Sequence, residues 1–111
     1  MSGGHFNYDQ YKIGYIADEV EQLIRYNGSE EKDEWGYNKH STFEKETIDK
    51  FAEGLLVLRM AQIYAQRIDW LVSGDDGEDS FHRRLKNDIK ELQELHFKFL
   101  KEIEDATISK I

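Results

Sequence analysis

Apolar residues recur along this chain with the spacing of an α-helix, and three segments carry the pattern. In the first, Ile13, Ile16, Val20 and Leu23 stand at i, i+3, i+7 and i+10, with Ala17 and Ile24 widening the stripe. This predicts a helix from about Asp9 to Tyr26, ended by Asn27-Gly28, which accept the left-handed backbone of a helix C-terminus. Residues 28–42 lose the periodicity and hold Glu30, Glu31, Asp33 and Glu34, so an acidic loop is expected. Its tip should be mobile and its aromatic end (Trp35, Tyr37, Phe43) packed.

The second periodic segment opens between Ser41 and Thr47, where Ser41-x-x-Glu44 fits a capping box. It runs to Val72, with Gly74 at the C-cap position, and should span about 45 Å. Ile48/Phe51/Leu55/Leu58, continuing to Ala65, form one apolar stripe, and Leu56/Met60/Ile63/Trp70 form another. So wide an apolar arc needs cover on more than one side, which makes this the central helix. After Asp75-Asp76-Gly77 the third segment sets Phe81, Leu85, Ile89, Leu92, His96, Phe99 and Ile103 on one face, and Thr107 to Ile111 should fray. The expected fold is all-α, a single helical domain over 1–111 with a tail at 1–7. Its second and third helices form a long antiparallel hairpin, and a shorter N-terminal helix packs across it.

Composition narrows the chemistry. The 111 residues include no cysteine and no proline, which excludes disulfides, thiolate nucleophiles and cysteine-based metal sites. No apolar run approaches the ~18 residues of a membrane span, and the N-terminus has neither a secretory pattern nor Gly at position 2 for myristoylation. A cytoplasmic protein is expected. A net charge of -8 disfavours direct binding to duplex nucleic acid, which needs a clustered basic surface.

Candidate chemistry is sparse. The acidic turn Asp75-Asp76-Gly77-Glu78-Asp79 lacks calcium-loop spacing, with Arg83 where the bidentate Glu would stand, and Asp76 and Asp79 read as helix caps. His5, His40, His82 and His96 are too scattered for a zinc site. Glu91, Glu94, Glu102 and Asp105 have the spacing of a helical carboxylate cluster for a divalent metal, but Lys90, Lys98 and Lys101 interleave them as on a solvated face.

The most distinctive set lies on the second helix. Arg59, Gln62, Gln66 and Trp70 follow i, i+3, i+7 and i+11 and share a face, with Arg67, Asp69, Met60 and Tyr64 nearby. Polar groups on a covered helix need partners. The commoner solution is hydrogen bonding across helices or a dimer seam. The alternative is a groove for a planar anion such as a nucleotide, with Arg59 on phosphate, the Gln62 and Gln66 amides reading edges and Trp70 stacking.

Two stretches, Met1-Ser2-Gly3-Gly4-His5-Phe6-Asn7-Tyr8 and Asp69-Trp70-Leu71-Val72-Ser73-Gly74-Asp75-Asp76-Gly77-Glu78-Asp79-Ser80-Phe81-His82, resemble small accessory proteins encoded by bacteriophages and prophages. No activity or site residue carries over from that resemblance; it implies a setting, a class that includes inhibitors of bacterial immunity. The expectation is a non-enzymatic binding protein without a cofactor, self-associating as a dimer. It would sequester a nucleotide-like ligand or occupy a host protein. The alternatives are a metal-dependent nucleotide-processing enzyme and an acidic mimic of nucleic acid that blocks a DNA-binding protein. Calorimetric titration with calcium should show no site tighter than millimolar; a micromolar site abolished by Asp75→Ala would contradict the capping assignment.

Overall fold

The computed structural model describes residues 5–109, and the three expected helices form: α1 (Gln10–Arg25), α2 (Lys45–Val72) and α3 (Glu78–Ser109). No strand occurs among the described residues, only an isolated bridge between Lys32 and Asn38. Helix α2 is the centre. Both α1 and α3 pack along it and run antiparallel to it, so the long hairpin of α2 and α3 carries α1 on its other flank. The result is a slab of 52 × 29 × 17 Å, little thicker than a single layer of helices.

The hairpin turn follows from one glycine. Gly74 takes φ +83°, and behind it Gly74 N–H reaches the Leu71 carbonyl at 3.2 Å while Asp75 N–H reaches that of Trp70 at 2.9 Å. This six-to-one and five-to-two pairing satisfies the last carbonyls of α2 and stops it sharply. Just beyond, Asp76 Oδ1 accepts the Gly77 N–H at 3.1 Å and faces the Arg84 guanidinium at 3.5 Å, which braces the first turn of α3.

The core is small: Ala17 and Ile24 from α1, Ile48, Ala52 and Leu55 from α2, and Phe99 from α3. Val20, Phe51, Leu58 and Ile103 pack around it half-buried. The α3 stripe expected from periodicity turns inward as read, half-buried along its length except for fully buried Phe99. His96 lies within it, its ring centroid 6.3 Å from that of Phe99, and desolvation lowers its pKa from the usual histidine value.

Four expectations require correction. Helix α1 turns only part of its apolar stripe inward. Ala17 and Ile24 are buried and Ile13 and Val20 half-buried, with Gln10 and Gly14 buried beside them, while Ile16 and Leu23 face outward. The physical reason is the partner surface: Ala17 and Ile24 share the core with the apolar Ile48, Ala52 and Leu55, but from Arg59 onward the face of α2 that meets α1 is polar, and Gly14 allows close approach there. Secondly, no capping box forms at Ser41: α2 begins after Glu44 without a side-chain cap, and Asn27 instead clamps the preceding residue. Its amide donates to the Phe43 carbonyl at 3.1 Å, and its Oδ1 accepts the Phe43 N–H at 2.7 Å. Thirdly, α3 stays helical through Ser109; of the segment expected to fray, 110 and 111 lie outside the described residues.

The fourth concerns the tail. Residues 1–4 lie outside the described residues, but 5–9 form a turn, with Asn7 and Tyr8 at φ 52° and 62°. Two consecutive left-handed non-glycine residues cost about 1–2 kcal/mol each, so the turn needs an anchor. Asp69 supplies one. Wholly buried, it accepts the Phe6 N–H at 3.1 Å, and so joins the two stretches on which the phage-type resemblance rests. Asp69→Ala should cost about 1–3 kcal/mol in urea unfolding by stranding a donor and should speed hydrogen exchange at the Phe6 amide. Unchanged exchange there would show that the turn is held by something else.

Candidate functional site

The residues singled out on α2 do share a face, and that face meets α1. Starting at the open end of α1, the Gln10 amide donates to Gln66 Oε1 at 2.9 Å. One turn on, the Gln62 amide lies against Gly14 so closely that a Cβ there would come within 2.7 Å of it. Next, Arg59 meets Asp18 at 2.8 Å and Glu21 at 3.3 Å. With Asp69 on Phe6, these contacts form a polar seam at i, i+3, i+7 and i+10 of α2 (Arg59, Gln62, Gln66, Asp69). Descending residues of α2 meet ascending residues of α1.

Trp70 belongs elsewhere. It is half-buried on the α3 side, and the Arg67 guanidinium lies 5.0 Å from its ring centroid. Arg67 also binds Asp88 of α3 at 2.6 Å, so it bridges the hairpin while occupying a position over the indole. Thus Arg59, Gln62 and Gln66 form one constellation and Trp70 part of a second; Arg59 is paired with Asp18 and Glu21, and Gln66 with Gln10. A phosphate at Arg59 would compete with two carboxylates.

The remaining sequence candidates stay apart. Glu91, Glu94, Glu102 and Asp105 are exposed, with Glu102 reaching Arg25 of α1 at 3.5 Å. Among the described residues, no three His, Asp or Glu side chains are grouped to hold a metal ion. No helix among them is long and apolar enough to cross a membrane.

Three surface features escaped the periodicity argument. The first is the loop between α1 and α2, which is ordered as a small hairpin. Asp33 Oδ1 accepts the N–H groups of Trp35 (2.9 Å) and Tyr37 (3.0 Å), Asp33 N–H binds the Tyr37 carbonyl at 2.8 Å, and Gly36 turns the chain at φ +84°. At the base, Lys32 pairs with Asn38, and Glu31 takes Lys39 at 3.0 Å and His40 at 3.3 Å. These two partners, the Lys39 hydrogen bond foremost, hold the Glu31 carboxyl below its usual pKa. His40 in turn stacks on Tyr26, with 4.7 Å between centroids. Of the aromatic end expected to pack, Phe43 does so against Phe51 at 5.2 Å, but Trp35 and Tyr37 stand 74% and 72% exposed. The Asp33 spacing, D-x-W-x-Y, was the signal that could have shown this, because an Asp side chain readily caps N–H groups two residues on.

The second is an open groove of ≈ 700 Å³ where the C-termini of α1 and α3 meet the N-terminus of α2. Ile24, Ile48, Ala52, Leu100 and Ile103 line it, and Arg25, Lys45, Asp49 and Glu104 stand among the lining residues; Arg59, Gln62, Gln66 and Trp70 do not. The third is a free apolar stripe on α2 itself: Val57, Ala61, Tyr64, Ile68 and Val72 are all exposed. Its i, i+4, i+7, i+11, i+15 spacing is visible in the sequence but was masked by two stronger stripes on the same helix.

Comparison of the chain with protein-family models, curated proteins and solved structures gave no match.

Because Trp35 and Tyr37 contribute nothing to the core, alanine at either should change unfolding free energy by no more than about 0.5 kcal/mol. A loss of about 2 kcal/mol or more in denaturant titration would assign the loop aromatics to stability instead.

Proposed function

We propose that this protein is a non-enzymatic binding protein that acts as a self-associated helical scaffold and occupies a protein partner. The observation that carries this reading is the balance of apolar surface. Among the described residues sixteen large hydrophobic side chains are exposed, while six hydrophobic residues make the buried core. The accessible surface is 8269 Å², against about 6,400 Å² for a compact monomer of this mass. The radius of gyration of 17.6 Å likewise exceeds the ~13 Å of a compact domain of about 100 residues. Surfaces of this kind are the mark of chains that finish their burial against another chain.

The other readings draw less from the geometry. A nucleotide-holding groove on α2 needs a guanidinium free to take phosphate, and Arg59 spends its donors on Asp18 and Glu21 of α1. A metal-dependent hydrolase needs converging carboxylates, whereas Glu91 and Glu94 point to solvent. The ordered hairpin that lifts Trp35 and Tyr37 away from the helices suits a contact element, since aromatic side chains dominate protein interfaces. The phage-type resemblance supplies a setting in which such contact blocks a host component, including one of bacterial immunity.

Sedimentation equilibrium from micromolar to millimolar concentration tests the first half of this proposal. A mass above 13.1 kDa that rises with concentration is expected. A constant 13.1 kDa would rule out self-association.

A further inference from the structure

Resting on the reading that this chain occupies a protein partner, we infer that the hairpin between α1 and α2 meets that partner, and that the partner offers it an arginine-bearing basic segment. Trp35, Tyr37 and the carboxylates of the hairpin would receive the guanidinium groups.

The two rings are held out in a fixed frame. Asp33 Oδ1 accepts the amides of both Trp35 and Tyr37, and Asp33 N–H on the Tyr37 carbonyl closes the turn across Gly36. The base is tied as well: Lys39 N–H donates to the Glu31 carbonyl at 2.9 Å, and His40 rests on Tyr26 of α1. With the backbone fixed, each ring has only two side-chain torsions to order on binding, so contact costs little entropy.

Charge identifies the occupant. Residues 29–40 hold four carboxylates, Glu30, Glu31, Asp33 and Glu34, against two lysines. Both lysines are engaged within the hairpin, Lys32 on Asn38 and Lys39 on Glu31. Glu30 and Glu34 stand exposed, their carboxylates without a hydrogen bond or ion pair among the described residues. The segment is net negative, and its uncommitted charges are both acidic. Such a surface repels the phosphates of nucleic acid and the anionic face of a membrane. It attracts a cationic chain, the more so because the whole protein carries -8.

The fold itself shows which cation suits a ring beside a carboxylate. Arg67 lies over Trp70 while binding Asp88, and Arg25 lies over Phe99 while binding Glu102. In both places a guanidinium covers an aromatic face and keeps edge donors for an acid, which a compact, strongly hydrated ammonium does less well. The hairpin has the rings and the acids but no arginine of its own. Among the described residues no cation rests on Trp35 or Tyr37. The missing third part is what the partner supplies.

The test follows the Trp35 indole N–H and Tyr37 amide resonances of the isotope-labelled full chain. It is titrated with end-blocked Gly-Arg-Gly-Arg-Gly, Gly-Lys-Gly-Lys-Gly and Gly-Glu-Gly-Glu-Gly peptides. The arginine peptide should shift both resonances and bind at least about twofold tighter than the lysine peptide, and the glutamate peptide should move neither. Trp35→Ala, read at the Tyr37 amide, should weaken the arginine peptide by about two- to fivefold, and Trp35→Phe by less. Glu91→Gln, on the exposed face of α3, should change nothing, which separates the hairpin from general attraction to an acidic protein. No shift with the arginine peptide, equal binding of the lysine or glutamate peptide, or an affinity that Trp35→Ala leaves unchanged would overturn the basic partner. A Trp35 resonance that moves with protein concentration alone would give the hairpin to a second copy and overturn it as well. Self-association is read separately by sedimentation, so failure here leaves the proposed function to its own test.

Discussion

The register of the whole slab depends on the polar seam between α1 and α2. Hydrophobic contact alone would let a short helix slide or roll on a long one, because apolar burial has no direction. Hydrogen bonds and ion pairs do have direction. Gln10 on Gln66, Gln62 against Gly14, and Arg59 between Asp18 and Glu21 fix both the rotation of α1 and its height along α2. A roll of one residue would strand buried Gln10 and press a side chain against the Gln62 amide. The seam also explains why α1 leaves Ile16 and Leu23 outside, a choice that apolar burial would not make.

Much of the fold was legible because helical periodicity is a strong signal over long segments. The three helices, the hairpin at Gly74 and the inward stripe of α3 all followed from spacing and turn chemistry. What periodicity concealed was which of several faces meets which partner. Helix α2 carries three usable faces, and the reading found two apolar stripes and one polar set. The polar set was correctly seen to share a face, but its use depended on Gly14 and Gln10, whose role in α1 is invisible until the helices are docked. Trp70 was joined to that set by its i+11 position, but its ring lies against Arg67, which binds Asp88 of α3. The loop was misjudged for a local reason: an Asp that caps two N–H groups can order a polar hairpin without any apolar anchor.

Polar specificity along one half of the α1–α2 contact and a thin core along the other leave a chain with well-defined register and modest internal burial. Such a body is suited to association. An apolar stripe is exposed on α2, the turn between α2 and α3 is acidic, and the loop between α1 and α2 holds Trp35 and Tyr37 in water. On α2, Arg59 is committed to Asp18 and Glu21 and Gln66 accepts from Gln10, while Arg67 is committed to Asp88 of α3. Arg25 extends the logic to α3, pairing with Glu102 at 3.5 Å while its guanidinium lies 4.8 Å from the Phe99 centroid, so at the far end of the slab a cation ties α1 to α3 beside the core.

The central claim is that the polar residues of α2 are structural partners of α1. A double-mutant cycle on Gln10 and Gln66, read by urea unfolding of Gln10→Ala, Gln66→Ala and the double variant, tests it most directly. The account predicts a coupling energy of about 0.5–1.5 kcal/mol, the net worth of a largely buried hydrogen bond. Additive effects, with no coupling between the two positions, would contradict it.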